Sequence, residues 1–155
     1  MIPLEFAPDL GGFSMGVGYW LLRPWRHAFD FSGRSPRREY WLFVLQTYVL
    51  ALALVLISVA FENVSSGGRN PVATTFLVVA GLFWLGTLLP QLAVAVRRMH
   101  DQNKSGVLLL LGLVPFIGGF ILLFFMIADG DEYENDYGPN PLDINAMPGV
   151  SEVFE

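Results

Sequence analysis

Three stretches of this chain carry no formal charge: Trp41 to Phe61, Val72 to Val96 and Val107 to Ala128. A helix needs about 20 mostly apolar residues to cross the hydrocarbon core of a bilayer, so each stretch reads as a membrane span. The expected spans are about 37–61, 72–98 and 106–128, inside a membrane domain covering residues 31–128. The predicted fold class is all-α: a polytopic membrane protein with three transmembrane helices and an N-terminal interfacial helix.

Polar punctuation fixes the ends of these spans. Ser35 followed by Pro36 offers a side-chain acceptor at an N-cap and a ring at the first helical position, where no N–H is needed. Tyr40 and Trp41 fall where an aromatic belt sits, at headgroup level. Glu62 to Asn70 is a short polar loop. The island Arg97 to Gly106, RRMHDQNKSG, is a tight basic turn, with Ser105 placed to cap the third span. Pro90 removes the bond to the Gly86 carbonyl and should kink the second span, leaving that carbonyl to Thr87 or Gln91.

The third stretch contains Gly112, Pro115 and the pair Gly118–Gly119, which could divide it into half-helices. It is too short to cross twice, so a single kinked span is expected. The alternative is a re-entrant hairpin, which would return the tail to the side of the island.

Residues 1–30 form a lead-in without the basic start and cleavage site of a secretory signal. Phe13, Val17, Trp20, Leu21, Trp25, Ala28 and Phe29 recur at helical spacing, as in a helix lying in the membrane interface. Pro24 disfavours helical geometry at Arg23, so a break is expected there.

Composition supports the membrane reading: 54% of the residues are hydrophobic and only 15% charged, against about 25% charged in a soluble domain. There is no cysteine, which excludes disulfides and thiolate chemistry. The net charge of −5 hides an asymmetry, because residues 129–155 hold eight acidic residues and no basic one. That segment reads as a turn or two followed by a disordered acidic tail. Cytoplasmic loops carry excess Lys and Arg near span ends. Arg23, Arg26, Arg34, Arg37 and Arg38, with Arg97, Arg98 and Lys104, stand against Arg69 alone. The expected threading is a cytoplasmic N-terminus and an external tail.

The motifs Phe31-Ser-Gly-Arg34 with Arg38-Glu39-Tyr40-Trp41, and Arg97-Arg98-Met99-His100-Asp101 with Ser105-Gly106, resemble those of a bacterial inner-membrane family. That family is domain of unknown function 805. Pro115 with Gly118, and Asn135 with Tyr137-Gly138, extend the likeness over roughly residues 20–141. Val107 stands where the family usually has an aromatic residue, and Asp136 where it usually has a basic one. The resemblance implies an inner-membrane address and no catalytic residues.

Two groups of residues carry the remaining polar chemistry. Arg34, Arg38, Glu39, Arg97, Arg98, His100 and Asp101 should lie at one depth. They read either as topology signals paired with anionic headgroups or as an ion network that could bind a phosphate. Gln46 and Gln91 fall at matching depths on antiparallel spans, so both amides are expected to turn inward and pair. One other histidine besides His100 is too few for a metal site, Asp129-x-Asp131 lacks the glycine and distal carboxylate of a calcium loop, and no cofactor is expected. No nucleophile elbow or phosphate loop is present, so no enzymatic activity is expected. The span cores hold none of the charged residues that mark ion paths. The leading reading is a non-enzymatic scaffold or partner-binding component of the inner membrane. The alternative is one subunit of an oligomeric transporter or channel; a module binding anionic lipid is a third option. Expected partners are the bilayer and its anionic headgroups, a second copy, or another membrane protein, and not nucleic acid.

Overall fold

A computed structural model describes residues 17–64 and 70–142. Phe13, the Arg69 loop and the acidic end beyond residue 142 lie outside the described residues. The elements are α1 (Val17–Arg26), α2 (Arg37–Val64), α3 (Pro71–His100), a 3-10 helix (Gly106–Leu113) and α4 (Ile117–Ile127). Among the described residues there is no strand, only an isolated bridge between Asn135 and Gly138.

At 28 and 30 residues, α2 and α3 are about 42 and 45 Å long, more than the roughly 30 Å of a hydrocarbon core. They form an antiparallel pair whose seam is legible in spacing. On α3, Ala73, Ala80, Thr87 and Val94 are buried at intervals of seven, with Phe76, Phe83, Pro90 and Arg97 three positions after each. On α2, Phe43, Thr47 and Ser58 are buried along one face. Such a repeat keeps one stripe of each helix on its partner. Small residues let the backbones approach, and the Ser58 hydroxyl donates across the seam to the Ala73 carbonyl at 2.8 Å. The outward faces present Leu45, Val49, Leu52, Leu56, Val78, Leu82 and Leu85, all exposed. Only 17% of the most apolar window of each helix is buried. A helix in a soluble core would be mostly buried, so these outward faces suit lipid.

Several local expectations change. The α1 helix runs through Pro24 without the expected break. The proline sits in the last turn, where it forfeits one backbone bond, and its ring is fully buried. Trp20 and Pro24 pack inward, while Trp25 meets Phe43 edge-on at 5.5 Å. Ser35 does not cap α2: its N–H donates to the Arg97 carbonyl at 3.0 Å, and its buried hydroxyl has no partner among the described residues. The start of α3 falls one residue before the expected one, and its cap was not read from the sequence. Asn70 caps it by accepting from the Val72 N–H at 2.9 Å, with Pro71 in its first turn. The α3 helix continues through Pro90, and Thr87 bonds back to the Trp84 carbonyl at 2.7 Å, not to Gly86.

The largest correction concerns the third apolar stretch. It folds as a hairpin of two short helices and not as one kinked helix, and among the described residues only α2 and α3 have the length and composition to cross a membrane. Ser105 does cap it, accepting from the Val107 N–H at 3.3 Å, but the helix it starts is 3-10 and ends at Leu113. The chain reverses over Val114, Pro115 and Phe116, where Phe116 adopts a φ of 66°. Then α4 packs back along the first arm. A Cβ on Gly112 would stand 2.9 Å from Leu122 Cδ1, and one on Gly118 would collide with the Leu111 carbonyl. These glycines make the fold-back sterically possible. Both ends of the hairpin therefore lie at the Arg97–Gln102 end of the α2–α3 pair, and the described tail, 129–142, lies there too.

Candidate functional site

An α-helix leaves its last four carbonyls without intrahelical partners, and that end carries partial negative charge. The end of α4 meets this need from outside itself. Gln102 Nε2 donates to the Phe125 carbonyl, Trp41 Nε1 to Met126 at 3.3 Å, Arg37 to Ile127 at 3.0 Å, and Arg98 to Ala128. The donors come from α2, α3 and the island, so one helix end fastens together three parts of the chain.

Around this clasp lie two linked ion clusters. Glu39, with no solvent exposure, accepts from Arg23 at 2.5 Å and from Arg97 at 3.2 Å. Arg97 also donates to the carbonyls of His27 and Asp30, at 2.9 and 2.8 Å. This cluster ties α1 and its following turn to α2 and α3. In the second, Asp101 accepts from Arg34 Nε at 3.0 Å and from Arg98 at 2.5 Å. The remaining donors of Arg34 reach the carbonyls of Tyr133 at 2.7 Å, Gly138 at 3.3 Å, Asp101 at 3.4 Å, and Asp131. Arg34 thus holds the 129–138 segment against the end of α3. Four guanidiniums face two carboxylates here, and main-chain carbonyls take up the surplus positive charge.

Smaller contacts complete the pole. His100 stacks on Tyr137 with ring centroids 3.8 Å apart, and its Nδ1 lies 3.2 Å from the Gly33 carbonyl oxygen. Asn135 donates to the His100 carbonyl at 3.0 Å. Gly130 approaches so closely that an added Cβ would lie 2.6 Å from Asp101 Cγ. Burial pushes the Asp101 carboxyl up from the ordinary carboxylate range, against the pull of Arg98 and then Arg34. Asp30 is held below that range by hydrogen bonds from Ser32.

Of the seven residues expected to cluster, Arg34, Glu39, Arg97, Arg98, His100 and Asp101 do meet at one end. Arg38 is exposed and takes no part in the network among the described residues. The sequence reading missed Trp41 and Gln102 as donors to the helix end, and Gly130 as a close-approach position. Arg34, Arg97 and Arg98 are 4% exposed or less, their guanidiniums turned into this interior.

Gln46 and Gln91 do not pair. Gln46 Oε1 is buried with no partner among the described residues. Gln91 instead lines, with Tyr40, Leu88, Leu109 and Leu122, a groove of about 460 Å³ between α3 and the hairpin. Matched depth along two helices was not enough to bring the two amides together. Asp129 pairs with Arg37, and Asp131 accepts from Asn135 at 3.0 Å. Among the described residues no three His, Asp or Glu side chains converge to hold a metal.

The family model described as "Protein of unknown function (DUF805)" matches residues 28–139, which hold every pole residue named above except Arg23 and His27. Inner membrane protein YhaI of Escherichia coli (strain K12) is 36% identical over 122 residues, covering 79% of this chain and 94% of that protein. Inner membrane protein YhaH of the same strain is 33% identical over 122 residues, covering 79% and 95%. Its uncharacterized protein YiiR is 28% identical over 155 residues, covering 84% and 93%. No solved structure matches. With two long apolar helices and inner-membrane relatives, this is a membrane protein.

Proposed function

The chain belongs to the DUF805 family of unknown function, and on that premise we propose that it is a non-enzymatic inner-membrane scaffold with two spans. In this reading, α2 and α3 cross the bilayer. The hairpin enters and leaves on the charged side, which faces the cytoplasm because the basic residues gather there. The described tail then lies on the cytoplasmic side as well, at a rigid cap where partners bind.

The observation that carries this reading is where the arginine donors go. Arg34, Arg97 and Arg98 donate to carboxylates and main-chain carbonyls that hold the fold together. A site for chemistry would keep donors or a base directed at a substrate. The exposed Arg38 is the group proposed to meet anionic headgroups, worth about 1 kcal/mol near the surface. No observation among the described residues favours the transporter reading.

Single cysteines in this cysteine-free chain test the topology, read with a membrane-impermeant thiol reagent on intact spheroplasts and inverted vesicles. Arg38→Cys and Glu134→Cys should both label in inverted vesicles, and Asn63→Cys only in spheroplasts. Glu134→Cys labelling alongside Asn63→Cys would restore a third span and overturn the reading.

A further inference from the structure

The two leaflets of the bilayer meet very different amounts of this protein. At the end away from the charges, the Phe61 and Phe76 rings stack at 5.9 Å and Ser58 bonds to Ala73. Among the described residues, only α2 and α3 reach that end. At the charged end they are joined by α1, by both arms of the hairpin and by the 129–138 segment.

The hairpin is half a membrane deep. Its 3-10 arm of eight residues rises about 2.0 Å per residue, or about 16 Å. The 11 residues of α4 rise about 1.5 Å each, again about 16 Å. Starting at the charged face of a roughly 30 Å core, the tip stops near the midplane. Leu113 is 79% exposed and Phe116 92%. Together with the exposed Ile117, Phe120 and Phe124, they suit that depth. Each arm is about 10 Å across, so the hairpin adds roughly 160 Å² of cross-section to one leaflet and none to the other.

The wedge is also stiff. Four side-chain donors hold the end of α4, and at Gly118 the two arms approach so closely that an added Cβ would collide with the Leu111 carbonyl. A rigid body that is wide in one leaflet fits best where that leaflet is spread. We infer that this protein is a curvature-selective membrane wedge whose partner is a lipid surface convex on the charged side. The inference rests on the two-span reading above.

The test uses the full chain carrying Glu134→Cys, reconstituted into small sonicated and large extruded vesicles of phosphatidylcholine with phosphatidylglycerol. Impermeant thiol labelling before and after detergent gives the fraction with the charged pole outward. Pole-outward molecules should reach a higher protein-to-lipid ratio in small vesicles, and pole-inward molecules a lower one. Orientation supplies an internal control, because a general effect of vesicle size on insertion would move both populations alike. Equal ratios, or the same size dependence in both orientations, would overturn the wedge. Arg38→Cys separates the two readings. If it labels with Glu134→Cys and no size dependence appears, the wedge alone falls. If the two label from opposite sides, the two-span topology falls and the wedge with it.

Discussion

Glu39→Gln isolates the question of whether the charged pole holds the fold together. Glutamine keeps the size of the side chain but removes the charge and turns an amide donor toward two guanidiniums. Glu39 is fully buried, and the side chains of its partners Arg97 and Arg23 are 4% and 23% exposed. Removing one partner of a desolvated ion pair costs about 3–5 kcal/mol, because the other charge is left buried and unpaired. An exposed pair contributes about 0–1 kcal/mol. Arg37 and Asp129, with side chains 45% and 80% exposed, supply that comparison within the same molecule. A chain of this size loses about 2–4 °C of Tm per kcal/mol, so Glu39→Gln should lower Tm by about 6–20 °C and Asp129→Asn by about 4 °C or less.

The assay is thermal unfolding in one mild detergent, followed by tryptophan fluorescence and checked by gel filtration of heated samples. Combining Glu39→Gln with Arg97→Gln should cost less than the sum of the two, with a coupling of about 0.5–3 kcal/mol for residues in contact. Glu39→Gln indistinguishable from Asp129→Asn would refute the reasoning. The buried pair would then be energetically idle and the arginines no more than topology signals.

Two further substitutions probe the closest packing and the failed pairing. Gly130→Ala drives a methyl into a carboxylate already held by Arg34 and Arg98, so about 1–3 kcal/mol of overpacking should be relieved by releasing the 129–138 segment; faster amide exchange there than in α2 and α3 is expected, and unchanged exchange would contradict the clasp. Gln46→Leu removes a buried acceptor that has no partner among the described residues and should leave stability unchanged or raise it by about 1–3 kcal/mol; a clear loss of Tm would refute this.

Which parts of this molecule were legible from sequence depends on which contacts are local. Two uncharged runs of helical length gave α2 and α3 nearly to their ends, because charged and polar residues bound each run in the sequence. The meeting of Glu39 with Arg97 followed from antiparallel threading. The third run failed for a physical reason. It is as apolar as a span, so composition cannot separate one crossing from a half-depth hairpin. The point that 22 residues cannot cross twice was sound, but a hairpin that turns at the midplane need not cross. The deciding factor is the destination of four carbonyls, Phe125 to Ala128, and their donors stand 23 to 90 positions away. Gln46 and Gln91 failed in a related way: depth along a helix can be counted, whereas rotation about its axis depends on the seam. The structure shows that seam as a seven-residue recurrence of Ala73, Ala80, Thr87 and Val94, which the sequence reading did not identify.

The choice of cation shows that geometry, and not charge alone, shaped this pole. Lysine and arginine serve the positive-inside rule equally well, yet eight of the nine basic residues here are arginine. An ammonium is a compact, strongly hydrated point charge, whereas a guanidinium spreads five donors over a plane and is more weakly hydrated. Arg34 uses three nitrogens on a carboxylate and four carbonyls, while Arg98 joins Asp101 to the end of α4. The single lysine, Lys104, meets no carboxylate among the described residues; its Nζ lies over the Phe125 ring at 5.3 Å and reaches the Gln102 oxygens at 3.2 and 3.4 Å. A re-entrant hairpin must end a helix at the membrane boundary, away from bulk water, and its last carbonyls then need donors supplied by protein. In the proposed topology, arginines placed beside the spans meet that need and also orient the chain, so that at this pole the threading signal and the fold would be set by the same side chains.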